Sequence, residues 1–583
     1  MQKRNESRNA WSWVPTLYYA EGIPYIVVMV VSVIMYKRFG ISNAEIAFYT
    51  SSLSLPWVIK PLWSPFVDIL KTRRYWIILT QLILGAGLGG IALSIPGDDY
   101  FRYTLAFLWL LSFSSATHDI AADGFYMLGL SKHKQAFFVG VRSTFYRLAM
   151  ITGQGVLIIL AGYIESTTGL ATVDLQVKAQ QGSAATRFLH PDSVTFSKTD
   201  DAEMRILAYP ENLEIGLSAE AEADKMVDIL ARIESWNNGQ GMQDGSAFTP
   251  VAGAGFIYFR LSHPPAEGET VVINFGRDKG DKSIKLVAGS RFEFTVENWQ
   301  RPQIAAIQLD ERLKMSAGAS FSAKSGNIKL AWIICFAALA MLFLFFTVYH
   351  YFILPHPASD VSNPNNSASQ IYSEFITTFV SFFKKKNIGV ILAFLLLYRF
   401  AEAQLVRLAQ PFMLDSAEVG GLALATGEVG FAYGTVGTLA LTIGGILGGL
   451  LVAKDGLKKW LWPMVFAINM PNVVYVFLAY ALPDNFIIIN FCVAIEQFGY
   501  GFGFTAFMLY MIYAAEGEHK TAHFAICTGF MALGMMLPGM WSGQLQELIG
   551  YQYFFIWVML ATIPGFIAAR LIHIEADFGK KKE

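Results

Sequence analysis

Apolar runs long enough to cross a membrane constrain this chain more than any other feature. A helix needs about 20 mostly apolar residues to traverse a hydrocarbon core ~30 Å thick. Such runs recur at residues 14–37, 45–69, 76–95, 104–130, 137–164, 328–352, 388–413, 429–453, 461–481, 486–514, 521–548 and 553–573 of the 583-residue chain. Backbone polar groups must be satisfied internally in lipid, so each run reads as a helix. Only 15% of the residues are charged, against ~25% in a soluble globular chain. The net charge of −1 argues against nucleic acid as a partner. Cys335, Cys492 and Cys527 all lie in apolar runs, so no disulfide framework is expected. The polar start, residues 1–10, lacks a leader pattern, and the first run reads as a retained helix.

Basic residues alternate between loops. Lys3 and Arg4 precede the first run, Lys71, Arg73 and Arg74 follow the second, and Lys132 and Lys134 follow the fourth. Lys384, Lys385 and Lys386 precede the seventh run, Lys454, Lys458 and Lys459 follow the eighth, and Lys580, Lys581 and Lys582 lie near the end. The intervening loops are short and poor in Lys and Arg. The positive-inside rule then places both termini in the cytoplasm. Twelve spans require the two termini to share a side, so the count and the charge pattern agree.

The expected organisation is helices 1–5 in residues 1–165, an extracytoplasmic insert at 166–324 and helix 6 in 325–354. A cytoplasmic linker at 355–387, a second six-helix half at 388–575 and a cytoplasmic tail at 576–583 complete it. The insert is as large as a small domain. Residues 256–261, 271–275, 284–287 and 292–296 alternate like strands between turn residues, and 219–233 is more helix-like. A β-rich domain with one helix is expected. Six helices, a cytoplasmic linker and six more helices is the layout of the major facilitator fold, so the fold class is all-α, polytopic, 6+6, with that insert between helices 5 and 6.

Charges inside apolar helices carry the chemistry, because each costs about 2.5–3.5 kcal/mol at a helix centre. Asp119 and Asp123 are four residues apart on one helical face, and the next helix brings Arg142 and Arg147. They form either a proton-binding carboxylate–arginine network or a structural ion-pair cluster. His118 beside them reads as a packed, hydrogen-bonded residue. In the seventh run Arg399 and Glu402 have the spacing to neutralise each other, with Gln404 following. Arg407 is left over, to meet an anionic solute in a cavity or to snorkel to an interface. Glu496 and Gln497 sit among Gly499, Gly501 and Gly503, which permit close packing or local unwinding. Glu21, Gly22 and Pro24 interrupt the first run after Tyr18 and Tyr19, and Lys60 in the second run is a possible partner for one of these acids. No phosphate-binding loop, metal-ligand spacing or nucleophile elbow is present. No enzyme, no cofactor and no metal is therefore expected.

These residues resemble one family. Leu55-Pro56-Trp57, Lys60 and Trp63-Ser64-Pro65-Phe66-Val67-Asp68 are similar to the second-helix signature of the AmpG-like muropeptide permeases, a branch of the major facilitator superfamily that also holds acetyl-coenzyme A transporters. The run 116–123 resembles the fourth-helix pattern, with His118 where the family usually shows Gln. Residues 398–403 resemble the basic-then-acidic pair opening the second half, and 496–506 the tenth-helix pattern. The loop signature is partial. Asp68, Arg73 and Arg74 match in the first half, as gating candidates. In the second, Ala453 stands where the acid is expected and Asp455 is displaced. The insert lies outside the family core, and a partner for it is unknown.

The resemblance implies proton-driven uptake of anhydromuropeptides across a bacterial inner membrane. Asp119, Asp123, Glu402 and Glu496 are the proton-coupling candidates. Glu21, Lys60, Arg142, Arg147, Arg399, Gln404, Arg407, Gln497, Tyr18 and Tyr398 are the substrate-binding candidates. Tyr25, Tyr146 and Tyr500 could also stack on sugar faces. The alternatives are another solute, such as an oligosaccharide, nucleotide-thioester or siderophore, or a non-transporting sensor that reads a ligand through the insert.

Overall fold

The computed structural model describes residues 9–64, 67, 70–181, 186–197, 203–217, 223–237, 239, 250–266, 271–310, 312–361, 368–416, 419–483, 485–517 and 519–580. Two compact units emerge. One comprises residues 1–161, 332–414 and 424–583, and the other residues 162–331 and 415–423.

The first unit is helical. Ten helices among the described residues are long and apolar enough to cross a membrane. One of them, Ala522–Leu571, is 50 residues long and turns at Gly550, where φ is 74°. A span needs about 20 residues, so it supplies two crossings. The second expected span is absent from the ten because it is divided into Asn43–Ser52, Leu55–Ile59 and a tight 3-10 turn, Lys60–Leu62. Pro56 and Pro61 explain the division, since each removes a backbone donor and clashes with the preceding turn. With these two stretches counted, the unit has the twelve helices of the major facilitator fold.

Pro24 does not break the first span, contrary to the interruption expected there. Val14–Ile26 stays α-helical through it, and a π turn follows at Val27–Val31. Gly22 serves contact instead, because a Cβ there would sit 2.8 Å from the Ala149 Cβ of the fifth span. Further π turns occur at Thr152–Val156 of the fifth span and Gly430–Gly437 of the eighth. Those two cross at Gly155 and Gly434, where an added Cβ on Gly434 would meet the Gln154 carbonyl at 2.0 Å.

The second unit is built on two sheets. In the first, β4 (Asn212–Gly216), β1 (Val173–Gln180), β11 (Ala317–Gly326), β7 (Val271–Gly280) and β9 (Arg291–Phe294) lie in that order. Only the β1–β4 pair is parallel. In the second sheet β3 (Ile206–Tyr209), β6 (Ala254–Leu261), β10 (Gln303–Leu309) and β8 (Ile284–Ala288) are antiparallel throughout. Alternate residues such as Val177, Phe275, Phe321, Ile257, Phe259 and Ile307 meet in one core. The opposite face of the second sheet is covered by the helix Ala223–Asn237, whose Met226, Ile229, Ile233 and Trp236 pack on Phe256, Tyr258, Ile304 and Ala306. That explains why β6 is buried on both faces. The four strands and the helix read from alternation are all present.

Candidate functional site

The 3-10 turn at Lys60 brings its ammonium 3.7 Å from Asp119 Oδ2. The same oxygen accepts the Trp57 indole N–H at 3.1 Å. One helical turn further, Asp123 Oδ1 accepts from the Tyr18 hydroxyl and from Arg142 Nη1, each at 3.0 Å. Arg142 Nη1 also reaches the Tyr18 oxygen at 3.0 Å. The guanidinium lies over the rings of Tyr18 and Tyr126, 4.9 and 5.3 Å from their centroids. The structure thus joins Tyr18, Lys60, Asp119, Asp123 and Arg142 from the first, second, fourth and fifth spans. Half of the Asp123 side chain remains exposed. Arg147 stands apart from them. It is half-buried, and its guanidinium lies beside Gly445 of the eighth span.

The second cluster differs. The seventh span bends at Tyr398 and Arg399, between Ile388–Leu397 and Phe400–Leu414. The bend turns Arg399 toward the tenth span, where Nη2 donates to the Tyr500 hydroxyl at 2.5 Å. Its guanidinium covers the rings of Tyr500 and Phe504. Among the described residues no ion pair joins Arg399 to Glu402, although the backbone between them is helical, because the guanidinium is turned to Tyr500. Glu402 is 2% exposed, and neither carboxylate oxygen has a hydrogen-bond partner. Glu496 accepts from Gln497 Nε2 at 2.9 Å, and the same amide donates to the Tyr433 hydroxyl at 3.0 Å. Gln404 Oε1 accepts the Trp557 N–H at 2.8 Å, and the Tyr398 hydroxyl donates to the Gly503 carbonyl at 2.9 Å. Span ten is not unwound at its glycines. An added Cβ on Gly499 or Gly503 would strike the ninth span, and one on Gly501 the Leu441 carbonyl of the eighth, so these glycines serve close packing.

Arg407 neither snorkels nor faces an open cavity. It is buried, and Nη1 donates to the Met29 carbonyl at 3.2 Å and to Thr50 Oγ1 at 3.4 Å, in the opposite half. Other bonds between the halves lie toward the same end. Asn43 Nδ2 donates to Gln546 Oε1 at 2.7 Å and to the Tyr551 hydroxyl at 2.8 Å. The Ala44 N–H meets Glu547 Oε1 at 2.9 Å, and Gln154 Nε2 meets Thr438 Oγ1 at 2.7 Å.

Of the gating candidates, Asp68 lies outside the described residues. Arg73 and Arg74 open the third span, and their backbone N–H groups donate to the two oxygens of Asp360 at 2.9 and 3.1 Å. Arg74 Nη2 also donates to the Tyr351 carbonyl. Asp360 was not singled out in the sequence; it adds to Thr72, whose hydroxyl accepts the Tyr75 N–H, at the start of the third span. Displaced Asp455 holds Trp460 at 3.0 Å and Lys459 at 3.1 Å. Sequence reading also missed a buried polar chain in the first half. Gln81 bridges His118 at 3.0 Å and His350 at 2.9 Å, and His350 reaches Thr16 at 2.9 Å. Its signal was a lone polar residue in each of two apolar spans.

Comparison with known proteins places these clusters in context. Residues 21–173 match the model of the BT1 family. The chain is 26% identical over 196 residues to the transporter AmpG 2 of Rickettsia typhi, covering 34% of this chain and 46% of that one. It is 24% identical over 218 residues to the anhydromuropeptide permease of Escherichia coli K12, covering 37% and 42%. The chain spans about half the length of the curated relatives it matches. Among solved structures it superposes on a D-xylose-proton symporter with a TM-score of 0.54 at 10% identity, covering 98% and 99% of the two chains. The nucleoside transporter NupG gives a TM-score of 0.52 at 11% identity, covering 96% and 98%. The chain is thus a multi-pass membrane protein of the major facilitator fold, with a β-rich insert and a sequence similar to the AmpG-like permeases.

Proposed function

We propose that the chain is a proton-driven secondary transporter that takes anhydromuropeptides into the cytoplasm by alternating access. One observation carries the reading: in the Tyr18–Asp123–Arg142 network the acid and the guanidinium are partly exposed, of opposite sign and covered by aromatic rings. A sugar–peptide with carboxylates and many hydroxyls suits such a surface, since guanidinium groups pair with carboxylates and tyrosines cover sugar faces. The names of the sequence relatives favour the same solute class.

In this reading both termini and the linker are cytoplasmic, and the insert is extracytoplasmic. The bonds made by Asn43, Arg407 and Gln154 then close the outer side, and the network of Asp123 opens inward. Arg73, Arg74 and Asp360 brace the cytoplasmic rim, with Asp68 as a further gating residue. Substrate is held by Tyr18, Lys60, Arg142, Arg147, Arg399 and Tyr398, with Glu21, Gln404 and Gln497 lining the path. Protons load on Glu402 and Glu496, and on Asp119 and Asp123 when substrate disturbs their pairs. A charge moved across 100 mV is worth ~2.3 kcal/mol, enough for about fiftyfold accumulation per proton.

The test is uptake of a labelled anhydromuropeptide into proteoliposomes with and without an inward proton gradient. Gradient-dependent accumulation supports the reading. Absence of uptake by folded, inserted protein contradicts it, and competition with oligosaccharides or nucleotide-thioesters then tests the other solutes.

A further inference from the structure

The chain Thr16–His350–Gln81–His118 fixes where protons sit in the first half. Thr16 Oγ1 lies 3.2 Å from the Trp13 carbonyl and 2.9 Å from His350 Nε2. A hydroxyl has one proton to donate. If it goes to the Trp13 carbonyl, Thr16 must accept from His350 Nε2–H. His350 Nδ1 then carries a lone pair and needs a donor from Gln81. The oxygen and nitrogen of a glutamine amide are told apart only by such networks. The amide is placed with Oε1 on His350 Nδ1 and Nε2 on His118 Nε2; turned over, it gives its N–H to His350 and its oxygen to His118, which then donates from Nε2. In that arrangement every group in the chain is satisfied, and His118 Nδ1 carries a lone pair.

That lone pair has nowhere ordinary to go. His118 is 1% exposed, and Nδ1 has no hydrogen-bond partner. A donor nitrogen of His118 and carboxylate oxygens of Glu21 and Asp119 all lie within 4.8 Å of one another. Glu21 is 9% exposed, and its Oε2 is likewise inaccessible and unpartnered. Asp119 Oδ2 is engaged by Trp57 and Lys60, which leaves Oδ1. A lone pair facing two carboxylates in a buried site is repulsive unless a cation stands among them.

We propose that Glu21, His118 and Asp119 form a binding site for one divalent first-row transition-metal ion of the Zn2+ or Co2+ type. Two carboxylates balance a divalent charge, and the imidazole selects against Na+, Mg2+ and Ca2+, which prefer all-oxygen shells. Ligands ~2.0–2.2 Å from a tetrahedral ion lie ~3.3–3.6 Å apart, so the three donors need close in by at most about 1.5 Å. Gln81 is the outer partner that orients the imidazole through its Nε2–H, the role a carbonyl plays behind most metal-bound histidines. The Lys60 ammonium, 3.7 Å from Asp119, is the cation that the metal competes with. The proposal concerns ion binding and stands independently of which solute the chain carries.

The test is titration of Co2+ and Zn2+ into the purified full chain in detergent, without a polyhistidine tag, followed by Co2+ ligand-field absorption and calorimetry. One ion per chain is expected, with absorption bands of a nitrogen- and oxygen-ligated site. His118→Gln should abolish those bands, Gln81→Leu should weaken binding about tenfold or more, and Lys60→Met should tighten it. Tightening by Lys60→Met cannot come from a folding defect, so it guards against His118→Gln acting only on stability. No saturable binding, or bands that survive His118→Gln, would overturn the proposal. So would a Lys60→Met affinity equal to that of the unmodified chain.

Discussion

The two halves of the helical unit hold their charges in opposite ways. In the first half Asp119 is paired with Lys60 and Trp57, and Asp123 with Arg142 and Tyr18. Those side chains are 18–50% exposed. In the second half Glu402 and Glu496 are buried. Glu496 accepts from the Gln497 amide, and neither oxygen of Glu402 has a hydrogen-bond partner among the described residues, while Arg399 and Arg407 bond elsewhere. Exposed, mutually paired charges can exchange partners with a solute at small cost, because surface pairs are worth only ~0–1 kcal/mol. A buried carboxylate without partners costs several kcal/mol to leave charged, so gaining or losing a proton there changes the energy of the whole conformation. On the proposed function, the contrast favours solute contact mainly in the first half and proton coupling mainly in the second.

Glu402→Gln gives the sharpest break of that comparison. Accumulation against a gradient should vanish while solute exchange at equal concentrations persists; parallel loss of both would return Glu402 to a structural role. Next in size is Asn43→Ala, which removes the donor to Gln546 and Tyr551 at the seam between the halves. Leaving such groups unsatisfied costs about 1–3 kcal/mol. The population closed at that end should therefore fall, as read by labelling of a cysteine placed behind the seam. Unchanged labelling would mean that the bonds of Asn43 do not hold the halves together. Asp123→Asn comes third. Exchange and accumulation should drop together by about three- to tenfold through KM, as expected for loss of a half-exposed pair. A selective loss of accumulation would move coupling into the first half.

The smallest effect lies outside both halves. Burial holds the Tyr258 hydroxyl above its usual range, and it bonds to the Leu189 N–H and carbonyl at 2.9 Å each. Above about pH 10, the ordinary tyrosine value, the unfolded chain releases this proton and the folded unit does not. The stability of the β unit therefore falls as pH rises. Tyr258→Phe should cost about 1 kcal/mol at neutral pH, flatten that alkaline slope in thermal melts, and leave transport unchanged. Altered transport would show that the comparison of halves omits a third participant.

Much of this architecture was readable in the sequence because a bilayer permits so few solutions. Run length and loop charge located the spans, and strand alternation found β6, β7, β8 and β9. What escaped depended on particular backbone events. Pro56 and Pro61 divide the second span, and the bend at Tyr398–Arg399 redirects a guanidinium that helical spacing assigns to Glu402. Strand β11, Ala-Gly-Ala-Ser-Phe-Ser-Ala-Lys-Ser-Gly, is too small and polar to announce itself, and is a strand because β1 and β7 flank it. The residues Asp119, Asp123, Arg142 and Tyr18 stand out in the sequence as charges and polar groups in apolar helices, and the structure brings them together. The Gln81–His350 chain and the Glu21–His118–Asp119 cluster were not legible. Their members come from different spans, and only packing brings their donor atoms within reach.

The central claim is that solute and proton move together and that the second half does the coupling. The direct measurement is solute-induced proton entry, recorded with an internal pH dye in proteoliposomes that start with no pH or voltage gradient. The account predicts that adding anhydromuropeptide outside acidifies the lumen for the unmodified chain and not for Glu402→Gln, although the variant still carries the solute. Solute entry by the unmodified chain without acidification, or equal acidification by Glu402→Gln, would contradict it.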